Sequence, residues 1–302
     1  MSTSTLVCLG LGYSARHYAA AFGARFSRIV GTSRSSESAA ALAARDLGGR
    51  RAEMLVFGGT TAEPAVAAAL ADADALLVSA SPDEGRDPVL ATLGDALMAA
   101  SRLRCIVLLS TVGVYGDHAG GWVDETTPPD PARPQARARI AAEDAWRALG
   151  QKRGIPVAIL RLSGIYGPGR NPLVNLRRGQ ARNVAKPGQV FNRIHVADIA
   201  QAIEAAFAQR ADGVFNVTDD EPTPPGDPIV FAASLLGVPP PPAIPFGEAV
   251  KTMPPMAASF YAENRRVRND RLKRTLGVRL RYPTYREGLR ALHAAGEPGL
   301  DF

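Results

Sequence analysis

Apolar residues in this chain gather into short runs, separated by longer stretches where small and apolar positions recur at helical spacing. Thr5–Leu9, Arg28–Thr32, Ala52–Phe57, Ala75–Ser79, Cys105–Ser110, Pro156–Arg161 and Val214–Val217 are short β-rich apolar runs and are predicted as strands. Ser14–Ala24, Ser36–Leu47, Val89–Arg102 and Arg139–Lys152 read as helices between them, and Val196–Gln209 as another that leads back to the sheet. Strand alternating with helix predicts βαβ units and an α/β fold with a doubly wound parallel sheet. Proline gathers at Pro128–Pro134, Pro222–Pro228 and Pro239–Pro245, which marks loops rather than repeats. The expected division is a dinucleotide-binding domain from 1–165 plus 194–218 and a smaller, discontinuous carboxy-terminal domain from 166–193 plus 219–302.

The sharpest local signal is Gly10-Leu11-Gly12-Tyr13-Ser14-Ala15, directly after the first strand and opening the first helix. Glycine at 10 permits a tight turn, Gly12 lets the backbone approach a pyrophosphate, and Ala15 is small enough for close helix–strand packing. In this context the motif predicts a Rossmann nucleotide site, with Tyr13 and Ser14 beside the phosphates. A site for NAD usually places an acid at the end of the second strand, on the ribose 2′-hydroxyl. Here Thr32, Ser33 and Arg34 stand there, with no acid before Glu37. Hydroxyls and a planar guanidinium suit a 2′-phosphate, so NADP is expected over NAD. Ser33, Ser35 and Ser36 can equally cap the second helix, but capping does not supply the missing carboxylate.

Composition narrows the setting. The chain has 302 residues, 46% of them hydrophobic, enough for a sizeable core. The amino terminus shows no basic leader, no stretch reaches the roughly 20 apolar residues of a membrane span, and a cytoplasmic protein is expected. Cys8 and Cys105 sit at the edges of strand-like runs without metal-ligand spacing, and are expected as buried, reduced thiols. The formal charge of +6 comes almost entirely from arginine, without the aromatic interleaving of a nucleic-acid surface. An anionic or polar small molecule is the expected partner, with neither nucleic acid nor membrane. A homodimer is compatible with the sequence.

Five further segments carry a resemblance. Leu109-Ser110-Thr111-Val112-Gly113-Val114-Tyr115-Gly116-Asp117, Asp124-Glu125-Thr126, Arg161-Leu162-Ser163-Gly164-Ile165-Tyr166-Gly167-Pro168-Gly169, Asn192-Arg193-Ile194-His195-Val196-Ala197-Asp198 and Phe215-Asn216-Val217 occur in this order. Together they resemble the extended short-chain dehydrogenase/reductases, the epimerase/dehydratase family. The resemblance implies that Ser79, Ala80, Ser110, Leu162, Ser163 and Ile165 line the cofactor. It also implies a catalytic hydroxyl at Thr111 and a Tyr-x-x-x-Lys helix. Aligning Ala142-Glu143 with the family's Ala-Glu puts Gln135 at the tyrosine position and Arg139 at the lysine position. A glutamine amide has no accessible protonation change and arginine stays charged, so the usual acid/base is missing.

Three routes stay open. Tyr115 or Tyr166 supplies the proton, Thr111 works through a water chain, or the protein binds nucleotide without turnover, as a redox-sensing regulator. Tyr115 and Tyr166 also lie in turns where a structural role is the ordinary one. His118, just past the Val-Tyr-Gly turn, is a candidate to face substrate, and Arg193 is a candidate for an anionic group on it. The alternative for Arg193 is an ion pair with Asp198 or Asp219. The function expected is an NADP-dependent oxidoreductase or epimerase acting on a small polar, sugar-like or nucleotide-linked substrate.

Overall fold

The computed structural model describes residues 4–83 and 86–297. Its centre is a parallel sheet of β1 (Thr5–Leu9), β2 (Arg28–Ser33), β3 (Glu53–Val56), β4 (Ala75–Val78), β5 (Cys105–Thr111), β7 (Val157–Leu162) and β11 (Gly213–Val217). Short parallel pairs join β6 (Trp122–Val123) to β13 (Arg266–Val267), β8 (Gly164–Tyr166) to β10 (Arg193–His195), and β9 (Val184–Ala185) to β12 (Ile244–Pro245). The helices are α1 (Tyr13–Phe22), α2 (Ser36–Ala43), α3 (Pro64–Ala71), α4 (Pro88–Ala99), α5 (Pro134–Arg153), α6 (Pro172–Arg177) and α7 (Val196–Gln209). They continue with α8 (Asp227–Leu236), α9 (Phe246–Ala249), α10 (Pro255–Ser259), α11 (Asp270–Thr275) and α12 (Tyr285–Ala294).

The sheet order is β11-β7-β5-β4-β1-β2-β3. The chain reverses direction between β1 and β4, which opens a crevice at the carboxyl ends of those strands. Both faces of the sheet are covered, so β1, β4 and β7 are buried along their whole length. One core cluster joins Leu6, Tyr18, Ile199 and Phe215 on the side of α1 and α7. The other joins Val7, Leu70, Leu93 and Trp146 beneath α3, α4 and α5. A smaller cluster of Tyr166, Leu173, Ala232, Tyr285 and Leu289 holds α6, α8 and α12 together.

All seven expected strands form, within two residues of their predicted ends. Helix α5 begins at Pro134 rather than Arg139, because proline at the first helical position needs no N–H partner. Helix α2 stops at Ala43 instead of Leu47, ahead of the left-handed pair Gly48 and Gly49. The expected pattern omits α3, whose sequence PAVAAALA has no polar face to reveal a period.

Helix α5 is fixed to the sheet by a buried ion pair. Arg161, on β7 beside the edge strand β11, is 5% exposed, and Glu143 on α5 is 2% exposed. The guanidinium Nη2 lies 2.7 Å from Glu143 Oε2, and Nε lies 3.2 Å from both carboxylate oxygens. Ser110 Oγ on β5 donates to Glu143 Oε1 at 2.5 Å. The Tyr115 ring packs on the Arg161 guanidinium at 4.9 Å. Every partner is supplied within the protein, which is what makes such a pair tolerable away from water.

A second buried polar group joins β10 to its surroundings. His195 Nδ1 accepts from the Ala197 N–H at 3.1 Å and caps α7, so Nε2 carries the proton in the neutral ring. The ring is wedged between Tyr166 at 5.0 Å and Tyr282 at 4.2 Å. Burial, followed by the charges of His17 and Arg281, lowers its pKa to about 3.

Two predictions follow from these groups. Glu143→Gln should destabilise the protein by about 3–5 kcal/mol in urea unfolding, because it strands the Arg161 charge. Glu143→Met with Arg161→Met should recover most of that loss, and a single-variant cost below about 1 kcal/mol would show the pair to be dispensable. For His195 the folded pKa lies below the unfolded value of about 6.5, so its stabilising contribution is complete above that pH and is lost as pH falls towards 3. His195→Asn keeps a capping acceptor without the titration. Between about pH 6.5 and pH 5 the wild type should lose roughly 2 kcal/mol more than this variant, and parallel pH profiles would refute the assignment.

Candidate functional site

The glycine turn after β1 is organised by two hydroxyls. The Gly10 N–H donates to Thr32 Oγ1 at 2.8 Å, and the Gly10 carbonyl accepts from Ser79 Oγ. Gly10 has φ +91°, and a Cβ there would stand 2.9 Å from Ser79 Oγ and 3.1 Å from the Ala80 N, so only glycine fits. Thr32 and Ser79 therefore hold the turn. Gly12 caps α1 with no side-chain acceptor, and a Cβ on it would meet nothing within 4 Å. The first amides of α1 thus open onto free space, which fits an anionic pyrophosphate. Ser14 and Ala15 are buried against the core, and the Tyr13 hydroxyl donates to the Pro168 carbonyl at 3.0 Å.

At the end of β2, the Ser33 carbonyl accepts from the Phe57 N–H at 2.8 Å. Ser35, not Ser33 or Ser36, caps α2, accepting from the Ser38 N–H at 3.2 Å. Arg34 is exposed and has no ion-pair partner among the described residues.

The residues expected around the reacting centre divide. Thr111 is half-buried at the end of β5, and its Oγ1 accepts from the Gly113 N–H at 3.0 Å. Gln135 is exposed on the first turn of α5. Arg139 lies one turn further, donating to the Leu109 carbonyl at 3.2 Å and to Ser81 Oγ at 2.8 Å. Burial lowers its pKa, against the opposing charges of Asp87 and Glu143. The arginine thus spans the ends of β4 and β5.

Both candidate phenols are buried. Tyr115 is 0% exposed, and its hydroxyl donates to Asn216 Oδ1 at 2.8 Å. Tyr166 is 6% exposed and donates to the Thr284 carbonyl at 3.4 Å. Burial raises both pKa values, and each hydroxyl is engaged within the fold, Tyr115 with Asn216 and Tyr166 with Thr284. Ser110 faces Glu143, Leu162 and Ser163 are buried, and Ser163 Oγ donates to the Val217 carbonyl at 3.3 Å. Ile165 is half-buried against the core. His118 Nε2 lies 3.0 Å from the Tyr115 carbonyl and closes its own turn. Arg193 makes neither of the ion pairs weighed for it. It donates to Thr223 Oγ1 at 2.6 Å and to the Phe191 carbonyl at 3.1 Å, and so sits in the layer of α8 and α12.

Two groups escape sequence reasoning. Arg133, just before α5, makes a two-pronged pair with Glu263, Nε to Oε1 at 2.8 Å and Nη2 to Oε2 at 3.0 Å. The Arg161–Glu143 pair is the other. Its partners are 18 positions apart and those of Arg133–Glu263 are 130 apart, and neither pair carries a local motif. Among the described residues there is no cluster of His, Cys, Asp and Glu able to hold a metal ion, and no helix long and apolar enough to cross a membrane.

The likenesses to known proteins agree with this geometry. A conserved protein of unknown function from Silicibacter pomeroyi DSS is 49% identical, with a TM-score of 0.87, over 97% of this chain and 99% of that one. Protein YeeZ of Escherichia coli K12 is 35% identical over 183 residues, covering 57% of this chain and 63% of YeeZ. The chain therefore matches less than two thirds of that relative's length. The dTDP-glucose 4,6-dehydratase of Bacillus anthracis, solved in complex with NAD, shares the fold at TM-score 0.75 and 16% identity, over 98% of each chain. The NAD of that complex belongs to the dehydratase, and these likenesses do not establish the NADP preference read from Arg34. A family profile covers residues 7–218, from the first strand to the last strand of the sheet, and by that match the chain belongs to the NAD dependent epimerase/dehydratase family.

Proposed function

We propose that this protein is a nicotinamide-dependent oxidoreductase or epimerase acting on a small polar, anionic substrate, and that its cofactor is NADP. The domain division proposed with it is 1–165 plus 194–218 for the cofactor and 166–193 plus 219–302 for the substrate. The observation that carries the reading is the glycine turn braced by Thr32 and Ser79, which opens into the uncapped start of α1. Arg34, exposed where an acid for the ribose would stand, supports NADP, although the NAD complex among the neighbours argues the other way.

A bound nicotinamide supplies or accepts a hydride at its ring. The residues of this chain position it. The α1 amides hold phosphate, Arg139 bridges the ends of β4 and β5, and Thr111 offers a hydroxyl at the rim of β5. With Tyr115 and Tyr166 both engaged elsewhere, proton transfer falls to Thr111 and water. The same observation favours a second reading, a nucleotide-binding redox sensor without turnover.

Calorimetry should find NADPH binding more tightly than NADH. Arg34→Ala should weaken NADPH alone, by the roughly 1.5–3 kcal/mol of a charged hydrogen bond. Equal affinities in the unaltered protein would remove the NADP assignment. Gln135→Tyr with Arg139→Lys should raise reduction of small test aldehydes by about 10²–10⁴-fold, the usual worth of a positioned acid, at little change in NADPH affinity. A lowered melting temperature with no gain in turnover would mean that α5 presents this face to packing and not to chemistry.

A further inference from the structure

Beside Thr111 lies a second guanidinium, that of Arg133. A Cβ placed on Gly113 would stand 3.2 Å from Arg133 Nη2 and 3.3 Å from Thr111 Oγ1, so the guanidinium and the hydroxyl border the same point. Arg133 has five N–H donors. Two are held by Glu263, and one makes a long contact of 3.4 Å to Ser259 Oγ. One N–H remains on each terminal nitrogen, the pair that a carboxylate accepts two-pronged. Glu263 is also bonded by Arg265 at 2.8 Å, so the buried acid faces two guanidinium groups and one positive charge is left in excess. Asp117 also acts on Arg265, but it is exposed and accepts from the Asn264 N–H at 2.7 Å. Lys186 adds a cation to the same segment through the Tyr261 carbonyl.

The surface over this charge is apolar. Helix α10 has no buried residue, and Met256 and Phe260 are 59% and 52% exposed. They are four apart, on one side of the turn, and the Phe260 ring lies 5.4 Å from the Arg133 guanidinium carbon. Residues 253–262 read MPPMAASFYA, and the one hydroxyl among them near Arg133, that of Ser259, already donates to the Met256 carbonyl at 2.8 Å. Such a lip offers no hydrogen bonds to the edges of a nucleobase or the hydroxyls of a sugar, and desolvating those groups unpaired is costly. It does suit a hydrocarbon or aryl body, since large exposed apolar groups beside a charge mark a binding rim.

We propose that the substrate is a carboxylate with an apolar body, its anion anchored by Arg133 and its body covered by Met256 and Phe260. This rests on the oxidoreductase reading and replaces a nucleotide-linked substrate with a simpler acid. The test is calorimetry on the full chain saturated with NADP⁺, using trans-cinnamate, cinnamyl alcohol, acetate and UDP-glucose. Cinnamate should bind at least about 10-fold more tightly than the alcohol, which lacks the anion, and than acetate, which lacks the body. Phe260→Ala, at an exposed position, should weaken cinnamate about 5–10-fold. Arg133→Gln should erase the preference for cinnamate over the alcohol. Should that variant fail to fold, Arg133→Lys should still reduce the preference several-fold, because the ammonium lacks the fork. Tighter binding of UDP-glucose than of cinnamate, or affinities indifferent to Phe260→Ala, would overturn the proposal. NADPH titrated separately distinguishes the two levels: retained NADPH binding with no selectivity for cinnamate refutes the substrate class alone, whereas loss of dinucleotide binding in the unaltered protein refutes the cofactor reading.

Discussion

The geometry of the cleft depends on one buried charge pair. Arg161 is buried near the carboxyl end of β7, one strand in from the edge of the sheet, and Glu143 reaches it from α5. Neither charge is tolerable without the other, so the helix has one azimuth and one height relative to β5 and β7. Arg139 is one turn before Glu143 and Gln135 one turn before that, so the same constraint aims both along one face towards the rim. The Tyr115 ring stacked on Arg161 ties the turn after Thr111 into the same arrangement. Strand, helix and turn converge on a single guanidinium.

The basic composition takes its meaning from such contacts. Several arginines act as internal braces. Arg153 donates to the Leu97 and Ala100 carbonyls at 2.6 and 2.7 Å, Arg139 to that of Leu109, and Arg182 to those of Ala249 and Thr252. A planar fork can satisfy two carbonyls where chain segments end, which an ammonium does less well. The high pI therefore reflects how this protein closes its loops as much as what it binds.

What could be read from residues alone followed the range of the interaction. The glycine turn, the strands and the α1 start are local, and their spacing carries the stereochemistry directly. The missing ribose acid at 32–34 was visible for the same reason. Tyr115 and Tyr166 are candidates because a phenol near a strand end can face either side, and their partners Asn216 and Thr284 lie 101 and 118 positions away. Arg193 looked like an anion site until Thr223, 30 positions away, came to its side. Glu263 and Arg133 meet across 130 positions, and no periodicity links them. Helix α3 escaped for a different reason, since a segment of alanine, valine, leucine and proline has no polar stripe to give its period away.

Helix α5 divides its labour along its length. From Ala142 to Trp146 it is bound into the sheet by an ion pair and a buried indole whose Nε1 donates to Asp87 at 2.9 Å. Its first turns rest on the protein surface, with Gln135 exposed. Substitution at the first end is filtered by folding, while exposed positions at the other, Gln135 among them, are less constrained by packing. A lineage carrying this helix is free to exchange the exposed groups on its first turns and still inherit an intact scaffold.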